Sequence, residues 1–214
     1  MSRPKPLTAA SGTLWVTATA DLLHTVLSAS MQQVVAADPV AIPLLQRFTS
    51  VRVHDSTTMS LPDVLTRTWR GCGNGTDRGT AGLKCGVQID LLTGALCGLD
   101  LADGRASDHT LPVQHAPLPA GSLRLADLGF YNLDVLAQIH ADGGYWLSRV
   151  QTNTLVAYPG GKPQPLINVL RDLGSMPTWD ANVIIGGHKP IHARLVVRRV
   201  PQEVADQRYD NDSF

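Results

Sequence analysis

The sequence predicts an α/β fold built on a mixed sheet, and three observations carry that prediction. Short apolar runs at 50–54, 83–91, 96–101, 123–126 and 145–150 read as strands, residues 132–141 have helical spacing, and turn residues separate them. Taken in order, strand, hairpin, strand, helix and strand make a layered sheet with antiparallel and parallel parts. At 214 residues, with 43% hydrophobic and 17% charged, the chain has a globular composition and is long enough to bury a substantial core.

Residues 21–37 carry apolar positions at helical spacing and stop before Asp38-Pro39, which predicts a helix. A shorter apolar stretch at 42–48 is expected to pack beside it. The strand at 50–54 begins the sheet. After it, Gly71, Gly73, Gly75 and Gly79 crowd one segment and predict a flexible loop. Thr93-Gly94 joins the next two strands as a hairpin. The helix at 132–141 ends before Gly143-Gly144, where the next strand follows. Beyond Gln151 the texture becomes β-rich: Pro159-Gly160-Gly161 is a turn, 166–170 is too short to assign, and 183–185 and 193–200 read as strands. Three units follow: an N-terminal helical segment over 1–49, a core over 50–151, and a β-rich segment with an atypical tail over 152–214.

Eighteen basic residues balance eighteen acidic ones, so net charge gives no argument for nucleic acid, although Arg194, Arg198, Arg199 and Arg208 gather late in the chain. Cys72, Cys85 and Cys97 match no metal-binding spacing, and an odd count argues against a disulfide framework. Residues 14–35 are interrupted by Asp21, His24, Gln32 and Gln33 and fail as a membrane span; with no signal pattern at the N-terminus, the expected location is cytoplasmic.

The residues with chemical promise are Asp55, in Val51-Arg52-Val53-His54-Asp55-Ser56-Thr57, and Asp127, in Leu123-Arg124-Leu125-Ala126-Asp127-Leu128-Gly129-Phe130-Tyr131. Singly, an aspartate in such a place is more often a turn or capping residue. As a pair at the ends of adjoining strands, two carboxylates can converge on a divalent cation such as magnesium, which takes hard oxygen ligands. Asp108 and His109, in Arg105-Ala106-Ser107-Asp108-His109, can approach the same site or cap the next element. No Gly-x-Ser-x-Gly turn supports a serine hydrolase, and the glycine-rich loop lacks the Gly-Lys-Ser/Thr ending of a phosphate cradle. Trp69, Arg70, Arg78 and Lys84 flank that loop, where they suit either a nucleic-acid backbone or a solvated surface.

Val53-His54-Asp55-Ser56-Thr57, the strand pair over 82–100, Ser107-Asp108-His109 and the Leu125 to Tyr131 segment together resemble the catalytic domain of IS4-type insertion-sequence (DDE) transposases. The resemblance covers residues 50–150. The β-rich segment after it, with Val196-Val197-Arg198-Arg199, looks like the insertion this group carries inside a ribonuclease-H-like fold.

What the resemblance implies is an α/β, ribonuclease-H-like mixed sheet with a β-rich insertion, incomplete at the C-terminus, and metal-dependent DNA strand cleavage and transfer. It makes Asp55 and Asp127 the first two catalytic and metal-binding carboxylates, with Mg2+ or Mn2+ as cofactor and Asp108, His109 and Tyr131 as site neighbours. Leu128 stands where relatives often carry arginine in Asp-Arg-Gly-Tyr. The third member of such a site is a glutamate on a late helix. Glu203 is the one glutamate of the chain and does not lie in such a segment, so a truncated or inactive copy is expected, with apolar sheet surface left exposed. The implied partners are DNA, as transposon ends and target, and copies or full-length relatives of the chain; the implied DNA contacts are Trp69, Arg70, Arg78, Lys84, Arg198 and Arg199. A DNA-binding remnant without chemistry and a nuclease completed by Asp103 or Asp108 are the alternatives.

Overall fold

The computed structural model describes residues 22, 25–26, 29–30, 32–34, 42–72, 80–187 and 189–204. The helix expected over 21–37 is present at its described residues, and its other positions lie outside them, as do residues 73–79 of the glycine-rich loop.

A five-stranded sheet forms the first layer. Its strands are β1 (Val51–Leu61), β2 (Ala81–Asp90), β3 (Leu96–Asp103), β4 (Leu123–Ala126) and β5 (Tyr145–Ser148), in the order β3-β2-β1-β4-β5. The first three are antiparallel and β4 and β5 run parallel to β1. Strand β1 is twice as long as the apolar run at 50–54 suggests. Residues 57–61 extend it because they pair antiparallel with β2, Thr57 opposite Cys85 and Leu61 opposite Ala81, so the ladder satisfies a backbone that the side-chain pattern leaves undecided. The β2–β3 hairpin turns at Gly94, whose φ of 70° suits glycine; Asp90 Oδ1 accepts from Leu92 N at 2.8 Å and locks the turn.

Helix α1 (Leu133–Ala141) supplies the crossover from β4 to the parallel strand β5. Asn132 caps it, its Oδ1 accepting from Asp134 N at 2.9 Å and Val135 N at 3.3 Å. Asn132→Ala is therefore expected to lose about 1 kcal/mol of unfolding free energy, read by urea denaturation.

The segment after β5 forms β6 (Leu155–Ala157), β7 (Gln164–Pro165), helix α2 (Leu166–Asp172), β8 (Thr178–Ile185) and β9 (Ile191–Arg198). Its sheet has the order β7-β6-β8-β9. The stretch at 166–170 is helical, as the buried pair Leu166 and Val169 at i, i+3 requires. The main core joins both layers: Tyr131 and Leu136 from around α1 pack with Val156, Leu166, Val169, Val183, Ile185 and Ile191. A smaller cluster of Leu111, Val113 and Phe130 sits under the five-stranded sheet with Ala102 and Ala126. The opposite face is more open, with Leu99, Leu101, Tyr145 and Leu147 exposed. Among the described residues no helix is long and apolar enough to cross a membrane.

Candidate metal and phosphate site

Register brings Asp55 and Asp127 to one place. In the parallel pair, Val53 lies opposite Leu125 and His54 opposite Ala126, so the next residue on each side is an aspartate. Alternation then puts Asp55 on the face of Val53 and Asp127 on the face of Leu125. Both are exposed and line an open pocket of about 600 Å³ whose floor is apolar, with Val53, Leu125 and Leu147. Each carboxylate is oriented by a backbone donor nearby in sequence: within β1, Ser56 N donates to Asp55 Oδ1 at 2.8 Å, and in the turn after β4, Gly129 N donates to Asp127 Oδ1 at 3.0 Å. One oxygen of each thus has a backbone donor.

Arg149, at the end of β5, stands exposed on the wall of the same pocket. Sequence reading passed over it. The signal was available, since Arg149 follows the fifth strand as Asp55 and Asp127 follow residues of the first and fourth, but it has force only once β5 is known to lie beside β4.

Beneath the sheet lies a buried polar layer. His54, 3% exposed, has its Nε2 at 2.8 Å from Gln88 Nε2; an amide nitrogen can only donate, so the imidazole accepts there and holds its proton on Nδ1. Gln88 Oε1 in turn accepts from Arg52 Nη1 at 3.0 Å. Burial, then the charges of Arg124 and Arg52, lowers the His54 pKa to about 3. Arg124, 1% exposed, donates through Nη2 to Gln114 Oε1 and to the Phe130 carbonyl, and burial lowers its pKa to about 10.

Asp108 sits on that side of the sheet. Ser56 Oγ donates to its Oδ1 at 2.6 Å and Lys84 Nζ to the same oxygen at 2.8 Å. Burial by itself would raise its pKa, but these two hydrogen bonds and the Lys84 charge bring it below the ordinary carboxylate value. Lys84 is thereby paired with Asp108, with a side chain only 13% exposed.

The remaining sequence-derived positions disperse. Tyr131 is buried in the main core and its hydroxyl meets Thr154 Oγ1 at 3.1 Å, because the turn after Asp127 points this side chain inward. His109 meets the Tyr131 carbonyl through Nδ1 and Asn132 through Nε2. Asp103 accepts from Arg70 N at the far end of β3. Trp69 and the exposed Arg70 stand near the far end of β1, where Arg70 bridges to Ala81, itself opposite Leu61. That is six residues, roughly 20 Å of strand, beyond Asp55. Arg198 and Arg199 are exposed at the end of β9, Arg78 lies outside the described residues, and Glu203 is exposed in a helical turn after β9. Among the described residues no group of three His, Cys, Asp or Glu side chains is placed to hold a metal ion.

Residues 46–175 match the family described as Transposase DDE domain. The chain is similar to the transposase for insertion sequence element IS231F of Bacillus thuringiensis subsp. israelensis, 27% identical over 175 residues, covering 73% of this chain and 36% of that protein. It is 33% identical over 110 residues to the IS231E transposase of Bacillus thuringiensis subsp. finitimus, covering 51% and 23%. To the IS1151 transposase of Clostridium perfringens it is 24% identical over 182 residues, covering 77% and 38%. The chain thus spans well under half the length of these relatives.

Proposed function

Because the chain belongs to the transposase DDE-domain family, of IS4 type, we propose that it carries the metal-binding part of a DNA strand-transfer site, with Asp55 and Asp127 as its carboxylates. The observation that carries this reading is their shared pocket where the parallel pairing of β1 and β4 ends, Asp55 within β1 and Asp127 just past β4. The strand order β3-β2-β1-β4-β5, antiparallel then parallel, supports a ribonuclease-H-like core over 50–151, flanked by a helical segment over 1–49 and a β-rich insertion over 152–214.

The donor set suits Mg2+ or Mn2+. Magnesium is commonly held by one or two carboxylates together with waters and substrate phosphate, and two carboxylates are what this pocket provides. A bound divalent ion supplies an activated water and neutralises charge developing on phosphate oxygens. The chain itself contributes three things: Asp55 and Asp127 as fixed oxygen donors, a floor of Val53, Leu125 and Leu147 that excludes water from one side, and Arg149 as a cation for the phosphodiester. The partners this reading implies are DNA, as transposon end and target, and further copies or full-length relatives of the chain.

The test is nicking of a labelled DNA duplex by the 214-residue chain in Mg2+ or Mn2+. Activity is expected to fall at least a hundredfold in both Asp55→Ala and Asp127→Ala; nicking that survives both changes removes the assignment. A second reading, DNA retention without chemistry, is favoured by the lack of a third metal-binding side chain beside the pair among the described residues. It is distinguished by duplex binding that neither substitution alters, in a chain that does not nick.

A further inference from the structure

The two candidate carboxylates are linked by a path of contacts that runs through the opposite side of the sheet. Ser56 touches both ends of its part of the path: its backbone N–H holds Asp55 Oδ1 at 2.8 Å, and its hydroxyl donates to Asp108 Oδ1 at 2.6 Å. Gly129, after the other strand, holds its carboxylate by a hydrogen bond and lies against Asp108 by close approach alone. Its N–H holds Asp127 Oδ1 at 3.0 Å, and a β-carbon placed on it would lie 2.7 Å from Asp108 Oδ2, closer than such carbons pack. Asp108 therefore occupies the space that a side chain at position 129 would need.

We propose that Asp108 is a positioning residue for the carboxylate pair, tying the residue after Asp55 to the turn after Asp127. This rests on the reading of that pair as a metal site. Lys84 completes the device. Its ammonium, 2.8 Å from Asp108 Oδ1, neutralises a third negative charge behind the pocket that Asp55 and Asp127 share. It also occupies the oxygen that Ser56 uses, so Asp108 is committed on the inner side of the sheet rather than presented to the pocket. Groups that orient metal ligands from behind commonly alter affinity by tenfold or more when removed, without themselves touching the ion.

The experiment is Mn2+ binding by the 214-residue chain, followed through the electron paramagnetic resonance signal of free Mn2+, with thermal unfolding recorded for each variant. Asp55→Ala is the reference. If it leaves Mn2+ binding unchanged, the metal-site reading itself fails. If it abolishes binding, Asp108→Ala is expected to weaken Mn2+ about tenfold, and Ser56→Ala, a milder change that leaves the ion pair in place, about threefold. The neutral pair Lys84→Met with Asp108→Asn keeps an acceptor for Ser56 and is expected to recover affinity to within about twofold of the parent. Parental affinity in a folded Asp108→Ala protein overturns the proposal. So does a Lys84→Met, Asp108→Asn protein as weak as Asp108→Ala, because that result makes Asp108 a direct ligand. Should Asp108→Ala not fold, Ser56→Ala decides alone, and unchanged affinity there overturns the proposal.

Discussion

Phe130→Ala is expected to lower the unfolding free energy by about 3–5 kcal/mol, the range for deleting a large buried aromatic side chain. Phe130 is 1% exposed and, with Leu111 and Val113, fills the space beneath the five-stranded sheet. Its ring meets His54 edge-on, with centroids 6.1 Å apart and planes at 63°. Truncation leaves a cavity bordered by polar groups rather than by apolar ones alone, because His54 lies against the ring and Arg124 donates to the Phe130 carbonyl. Water can enter such a cavity and find partners, which places the loss toward the lower end of the range. Equilibrium denaturation in urea measures it. A loss below about 1 kcal/mol would contradict the packing described, since that is the scale of a surface substitution. The same substitution is expected to disturb the pocket, because Phe130 closes the turn that starts at Asp127.

The second large effect is loss of stability in mild acid. His54 is neutral in the folded protein, with its pKa lowered to about 3 by burial and by Arg124 and Arg52; once unfolded it titrates near 6.5. Between those values the unfolded chain binds the extra proton, so unfolding free energy is full above about 6.5 and falls as pH drops toward 3. The linked loss amounts to roughly 4 kcal/mol at the bottom of that window. Asp108, whose pKa is lowered, acts in the same direction at lower pH: its contribution is present above the unfolded carboxylate value and disappears as pH falls through the folded one. The two are separated by comparing the parent with His54→Leu across pH 7 to 4. The variant starts less stable, having left Gln88 without its partner, but its stability is expected to be nearly flat over pH 6.5 to 5, where the parent declines. Equal slopes in both would mean that His54 does not carry the effect.

Strand and helix identities were readable from the chain wherever side-chain pattern and backbone pairing agree. The hairpin at Thr93-Gly94 and the helix behind Asn132 are such cases: a glycine with positive φ and an amide cap are local requirements, visible without knowing what packs against them. The outer half of β1 was not readable, because Thr57, Thr58 and Ser60 carry no apolar alternation and are strand only through their ladder with β2. Helix α2 was equally hidden, for seven residues hold too few turns for a period to declare itself.

The candidate site divides along the same line. Asp55 and Asp127 stand out in the sequence because each follows an apolar run, and family membership follows from the segments around them. Their convergence, however, depends on β1 and β4 being parallel neighbours in one register, which is a long-range pairing. Arg149 enters the pocket by the same kind of pairing. What Lys84 and Tyr131 meet was likewise set by the fold: the first is bound by Asp108, and the second is turned into the core toward Thr154. Local pattern thus determined most of the elements, the motif segments determined the family, and the chain offered Asp55 and Asp127 as candidate carboxylates. Which polar groups face the pocket and which are held behind it was decided only by tertiary structure, since a strand's side chains alternate between faces and only pairing and packing say what each face meets.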